Sequence, residues 1–187
     1  MWKTALIVVA LAACTRTAAA QTAMWPAAVD SLELAPLAGE WFEVATSGSW
    51  SHGRCLADTS FRWLVKDTRT VEVRRSCTTA RGADTRTGRL RARDATHPGR
   101  LAERFAPALV AWLPAAWNDY WVLAVGDERA WLLIGDRRRE RLSVLSRWVS
   151  LDEASLARAI GAARRQGFDV DRLVAVPHHT SAPRTSP

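Results

Sequence analysis

The stretch "NDYWVLAVGDERAWLLIGDRRRERLSVLSR", Asn118 to Arg147, carries three apolar runs: Tyr120–Val125, Ala130–Ile134 and Leu142–Leu145. Two charged turns, Gly126–Arg129 and Asp136–Arg141, separate them. Runs this short between turns read as antiparallel strands. A strand with one wet face alternates apolar and polar residues, and these do not. Both of their faces must meet other apolar surface.

Upstream, the alternation is clean. "SFRWLVK" sets Phe61, Trp63 and Val65 opposite Arg62 and Lys66, and "TVEVRRSC" sets Val71 and Val73 opposite Glu72 and Arg74. "TGRLRAR" puts Leu90 and Ala92 against Arg89, Arg91 and Arg93, and "RLAERFAP" places Leu101, Glu103 and Phe105 on one side. With "LAGEWFEVA" (Leu37–Ala45) and the three later runs, this makes eight strand candidates. One helix follows in "SLDEASLARAIGAARRQGF". Ser150 with Glu153 predicts a capping box, and Arg164 and Arg165 suit the negative end of the helix dipole. Gly167 predicts the stop, and Leu156, Ala159, Ile160 and Ala163 form the apolar stripe. The pattern predicts an all-β fold, an eight-stranded up-and-down antiparallel barrel with one C-terminal α-helix packed outside. One face of the Asn118–Arg147 strands then lines the interior and the other lies under the helix. Such a barrel is about wide enough for one small ligand.

The 187 residues suffice for one domain with its own core. Residues 1–13 read as a signal peptide, because Lys3 precedes an apolar run, Ala5 to Ala13, too short to span a bilayer. Two processing routes stay open. "LAAC" has the pattern of a bacterial lipobox, which leaves Cys14 lipidated and, with Thr15 after it, suits a periplasm-facing lipoprotein of the outer membrane. Cleavage after Ala20 gives instead a soluble periplasmic protein. Residues 14–36 read as a lipidated N-terminus and tether, 37–176 as the domain, and 177–187 as a disordered tail.

Export puts the chain in an oxidising compartment, where disulfides persist. With Cys14 set aside, Cys55 and Cys77 form an even pair and are expected to be bonded. The loop they close contributes on the order of 3 kcal/mol in a chain-entropy treatment. A metal site or a catalytic thiol finds no support, since no CxxC is present and only His52 lies near either cysteine.

The net charge of +7 comes almost wholly from arginine. Such a balance raises nucleic acid as a partner. Here the arginines alternate with apolar residues, as in "RLRAR", which marks the solvated side of a strand, so no nucleic-acid partner is expected. The same charge attracts anionic lipid head groups weakly.

"LAGEWF" resembles the G-x-W motif that opens the first strand of lipocalins, and "LSVLSR" resembles their last-strand motif ending in arginine. The "DYW" and "LIGD" segments, the cysteine pair and the "LDEASL…QGFDVDRLV" helix and exit extend the resemblance from Leu37 to about Val176. The spacing is similar to that of the bacterial outer-membrane lipocalins and apolipoprotein D. The resemblance implies that Trp41 and Arg147 pack together at the closed end of the barrel, with Gly39 allowing a sharp turn into the first strand. These are structural roles. A guanidinium over an indole agrees with this physically, at about 0.5–2 kcal/mol when desolvated. Two positions depart from the pattern: Arg129 stands where close relatives have Tyr, and Ser143 where they have an aromatic residue. The second change widens or rewets the pocket.

Alternation places Phe61, Trp63, Val71, Val73, Leu90, Phe105, Tyr120, Val122, Trp131 and Leu133 inward as ligand contacts. An apolar cavity selects ligands by buried area, about 0.8 kcal/mol per CH₂, which suits a long acyl chain. Glu43, Glu103 and Arg75 also fall on inward positions, where pairing or a ligand head group offsets their desolvation. The expected function is binding and transport or storage of fatty acids or lysophospholipids at the bacterial envelope, without cofactor. The partners are that ligand and a membrane reached through the lipid anchor, with a homodimer as an admissible assembly. An enzyme is not expected. A lipocalin-type isomerase would need a free thiol in the barrel, and an envelope structural protein would have its barrel filled.

Overall fold

A computed structural model describes residues 25–47, 54–93 and 96–179. The signal peptide, Cys14, His52 and residues 180–187 lie outside the described residues. All eight expected strands form: β1 (Gly39–Ser47), β2 (Ala57–Val65), β3 (Thr70–Thr79), β4 (Gly82–Ala92), β5 (Arg100–Arg104), β6 (Asn118–Val125), β7 (Trp131–Gly135) and β8 (Leu142–Ser146). Each pairs antiparallel with its neighbour in sequence, and β1 pairs with both β2 and β8, which closes the barrel. A short β9 (Val174–Ala175) adds to β1 beside Ala45 and Thr46. Closure removes the free sheet edges that would otherwise template aggregation.

The strands with alternating sequence have one wet face. In β3, Val71, Val73 and Arg75 are buried while Arg74 is exposed. The arginines at 89, 91 and 93 all lie on the exposed outer side. Arg91 does not simply point into water, because its guanidinium stacks 4.0 Å from the Trp117 ring, which Arg104 approaches at 5.3 Å from the other strand. In β6–β8 nearly every residue is buried, and the reason is the helix α1 (Glu153–Arg165), which packs on the outer faces of β6 and β7. Trp121, Leu123, Leu133, Leu142 and Val144 meet Ala159, Ala163 and Phe168 there.

The helix stripe is as expected in Ala159 and Ala163, with Leu156 partly buried. The cap is not. Asp152, rather than Ser150, is the N-cap: its carboxylate accepts the Ser155 N–H at 2.9 Å. Asp and Ser are equally good caps, so the sequence alone does not choose between them. Gly167, with φ +79°, ends the helix as expected.

Two chain ends are better held than their composition suggests. Residues 25–36, read as tether, dock on the barrel: Leu34 is buried in the core, and the Val29 N–H bonds the Val122 carbonyl at 2.9 Å. Pro177, His178 and His179, read as tail, also hold contacts. The Asp58 N–H bonds the Pro177 carbonyl, and His179 meets the Asp58 carboxylate through its backbone N–H and its ring. Hydrogen bonds from His179 hold the Asp58 carboxyl down to about 2. Polar composition cannot foresee such pins, because they depend on distant partners.

The end of the barrel where β1 starts is sealed. Trp41 is fully buried, its indole Nε1 donates to the Leu37 carbonyl at 2.9 Å, and Arg147 lies 3.8 Å over its ring. Arg147 also donates to three carbonyls, those of Pro36, Ala38 and Glu40, at 3.0–3.1 Å. Gly39, at φ +104°, supplies a turn that L side chains rarely adopt. A Cβ there would also sit 3.3 Å from the Arg147 guanidinium. At the opposite end Cys55 and Cys77 are joined as a disulfide, with Cα atoms 5.6 Å apart.

Arg147→Met removes the ring contact and three charge-assisted hydrogen bonds, and is expected to destabilise by roughly 2–4 kcal/mol in urea unfolding. Arg147→Lys should lie between, since an ammonium cannot reproduce the fork. Cys77→Ser is expected to lose about 3 kcal/mol of stability under non-reducing conditions, and reduction of the native protein should reproduce that loss.

Candidate ligand-binding site

The interior divides along the barrel axis. Toward the sealed end the side chains fill the space as a core. Trp41, Trp63, Val71, Leu90 and Val122 are essentially fully buried. The Trp41 and Trp63 rings are 6.0 Å apart and tilted, and Trp63 sits 6.2 Å from Tyr120. Of the ten residues expected inward, Phe61, Trp63, Val71, Val73, Leu90, Tyr120 and Val122 lie in this interior cluster, with Phe105 packed against it.

Trp131 and Leu133 are on the other side of the wall, in the cluster beneath the helix, and Leu132 and Ile134 point inward in their place. In "AWLLIG" both faces are apolar, so the sequence holds no parity signal, and a shift of one residue exchanges the faces. The register is set elsewhere. Inward Val122 stands opposite Ile134, and past a bulge in β6 Ala124 stands opposite Leu133 on the helix side. Leu101 and Leu145 also belong to the interior cluster. Leu101 shares a strand face with Glu103, so alternation alone could have found it.

Beyond this core the interior is polar. Glu43, Arg75, Glu103 and Ser143 are all buried. Glu43 follows Trp41 inward by alternation, and a bulge in β1 between Glu43 and Ala45 then turns Ala45 to the helix side. Ser143 Oγ donates to Glu43 Oε1 at 2.6 Å. Ser143 thus puts a hydroxyl against a carboxyl inside the barrel. Arg75 lies between Phe61 of β2 and Arg86 of β4 in register, and its guanidinium rests 4.9 Å from the centre of the Phe105 ring. That ring needs Gly88, because a Cβ at 88 would come within 2.6 Å of it. Glu103 stands opposite Leu90. Glu103 and Arg75 attract through space, yet no direct ion pair joins them among the described residues, and Arg75 Nε has no hydrogen-bond partner there. The expected internal pairing is therefore not what the fold supplies.

Burial sets the protonation of these groups. It pushes the Glu103 carboxyl up to about 8, against the pull of Arg141 and Arg75. It also raises Glu43, against the Ser143 hydrogen bond, and drives the Tyr120 phenol well up, with both carboxylates adding to the effect.

The open end is rimmed by the β3–β4 turn, the long β5–β6 connection and the β7–β8 turn. A cleft of about 660 Å³ lies there, lined by Arg54, Leu56, Arg81, Asp84 and Arg86 among others. On the β5–β6 connection Leu109 and Trp112 are 86% and 78% exposed. Across the rim, the Asp136 carboxylate caps its own turn, accepting from the Glu140 N–H at 2.9 Å and from Arg141 at 3.0 Å.

The folded protein holds a proton on Glu103 up to about pH 8, whereas the unfolded chain releases it near 4.3. The native state thus binds the extra proton across that window, and stability should fall as pH rises through it, by up to about 1.4 kcal/mol per pH unit. Glu43 acts in the same direction. Urea midpoints at pH 5, 6.5 and 8 should decline in that order, and Glu103→Gln should make the decline shallower. A flat native profile would mean that Glu103 ionises as it does in water.

A lipocalin-like domain model matches residues 32–178. Temperature-induced lipocalin-1 of Arabidopsis thaliana is 22% identical over 160 residues, covering 84% of this chain and 86% of the relative. Among solved structures, lipocalin 12 from rat epididymis superposes with a TM-score of 0.64 at 18% identity, covering 88% of this chain and 97% of that one. Insecticyanin from the tobacco hornworm Manduca sexta gives 0.63 at 16% identity, with 83% and 85% covered. H1 crustacyanin from the lobster Homarus americanus gives 0.62 at 15% identity, with 84% and 92% covered. At these identities the superpositions speak for the fold, and the match over residues 32–178 decides the family. The barrel sealed by Trp41 and Arg147, with its outer helix, is that of a lipocalin, and the chain belongs to the lipocalin-like family.

Proposed function

We propose that this protein binds and carries single-chain hydrophobic ligands, fatty acids or lysophospholipids, at a bacterial cell envelope. The observation that carries the reading is the asymmetry of the barrel. One end is closed by packed indoles and a guanidinium, and the other is rimmed by loops with Leu56, Leu109 and Trp112 exposed. Lipocalin folds generally bind small hydrophobic molecules, and an apolar wall selects them by buried area. The envelope setting rests on the lipobox-like "LAAC" and on the resemblance to bacterial outer-membrane lipocalins. Lipidation at Cys14 would then hold the carrier at the outer membrane. Binding is preferred to catalysis because Cys55 and Cys77 are joined to each other, so neither offers a thiolate to a substrate.

The dense packing of the sealed half favours a second reading, an envelope structural protein whose barrel is filled. The two are separated by experiment. Burial of about sixteen methylenes contributes about 13 kcal/mol, and an association cost of about 5 kcal/mol leaves about 8 kcal/mol, which places binding near the micromolar range. Delipidated protein titrated with a fluorescent fatty acid is expected to saturate at one ligand per chain in that range, with tryptophan quenching. Native mass spectra should show co-purified lipid. A correctly folded protein that does neither is a filled barrel.

A further inference from the structure

The interior holds one cation without a counterion of its own. Arg75 is 5% exposed, rests on Phe105, and has no hydrogen bond or ion pair within reach among the described residues; its Nε is fully enclosed and unpartnered. Directly across β3–β4 stands a second guanidinium, Arg86, which repels it and is itself paired with Asp84 at 3.1 Å. Three carboxyl groups attract Arg75: Asp84 is spent on Arg86, and the other two, Glu103 and Glu43, sit on β5 and β1. Burial favours the neutral form of both, and Glu43 is already engaged by Ser143. An arginine does not deprotonate to escape such a site. A buried guanidinium with unused donors is matched by an oxyanion, which it grips with charge-assisted hydrogen bonds. The rim cleft, with Arg54, Arg81 and Arg86 around it, would steer an anion towards it.

We propose that Arg75 is the head-group anchor of the site, gripping the oxyanion of an acidic single-chain amphiphile inside the barrel. The aromatic packing of the sealed half leaves no depth below for a long chain, so the ligand enters head first. Its tail runs outward past Phe105 to the exposed Leu109 and Trp112. This rests on the carrier reading and refines it, because a purely apolar pocket would accept alcohols, esters and acids of one chain length alike, and this one discriminates by charge.

The test compares oleate with oleyl alcohol, and oleoyl lysophosphatidate with both, on wild-type protein and on Arg75→Gln and Arg75→Lys. Near-ultraviolet circular dichroism and the urea midpoint confirm that each variant is folded. Wild type is expected to prefer oleate over the alcohol by about 10- to 100-fold, the range of a buried charge-assisted contact. Arg75→Gln should bring that ratio close to one, and Arg75→Lys should restore part of it. If lysophosphatidate gains more than oleate from Arg75, the anchored group is a phosphate; the opposite order makes it a carboxylate. Equal affinity of wild type for acid and alcohol, or an acid preference that survives in folded Arg75→Gln, overturns the anchor and leaves the carrier standing. Failure to bind any of the three overturns both.

Discussion

Closing a sheet on itself forces one face of every strand into a space too narrow for free water, and the rest of this structure follows from how that space is sealed. Trp41 fills the base, and Arg147 lies over it with its donors spent on three backbone carbonyls. The planar fork of arginine is needed for this, since it can stack on a ring and reach several acceptors at once. The carbonyls belong to residues 36–40, so the same contact fixes the turn into β1 through Gly39. Sealing the base also makes the barrel polar along its axis, with a dry floor at one end and loops at the other.

Interior side chains respond to depth. At the floor, indoles and aliphatic groups pack against each other with no room to spare, which gives stability rather than recognition. Above them Glu43, Ser143, Arg75 and Glu103 bring charge and hydrogen bonding into a place with little water. Buried groups of this kind cost stability, and the rise of Glu103 to about 8 is one measure of it. Groups retained at such cost are where function concentrates.

The outside of the barrel is used just as fully. Beneath α1 the wall is as apolar as the core, with Trp121, Leu133, Val144 and Phe168 in one layer. On the β4–β5 side the outer surface is cationic, but aromatic rings order it: Trp117 takes Arg91 and Arg104, and Trp121 takes Arg100. The arginine-rich composition is thus partly a packing device, in which guanidinium planes cover indole faces and Arg104, itself buried, donates to the Pro107 carbonyl at 2.9 Å.

The sequence alone determined the eight strands, the late helix, the cysteine pair and the Trp41–Arg147 seal, because each leaves a local mark. Alternation shows which strands have one wet face, and the resemblance of "LAGEWF" and "LSVLSR" to lipocalin motifs implies the seal. Phe61, Val71, Val73 and Leu90 were readable as interior for the same reason. Tertiary structure decided what local marks cannot carry. Trp131 and Leu133 face the helix because Ile134 stands opposite inward Val122 across β6–β7, and a run apolar on both faces reads the same in either register. Residues 25–36 and 177–179 are docked through partners far away in sequence, such as Val122 and Asp58. Whether Glu103 and Arg75 would pair depended on ångström distances across a barrel, and no pattern along the chain encodes those.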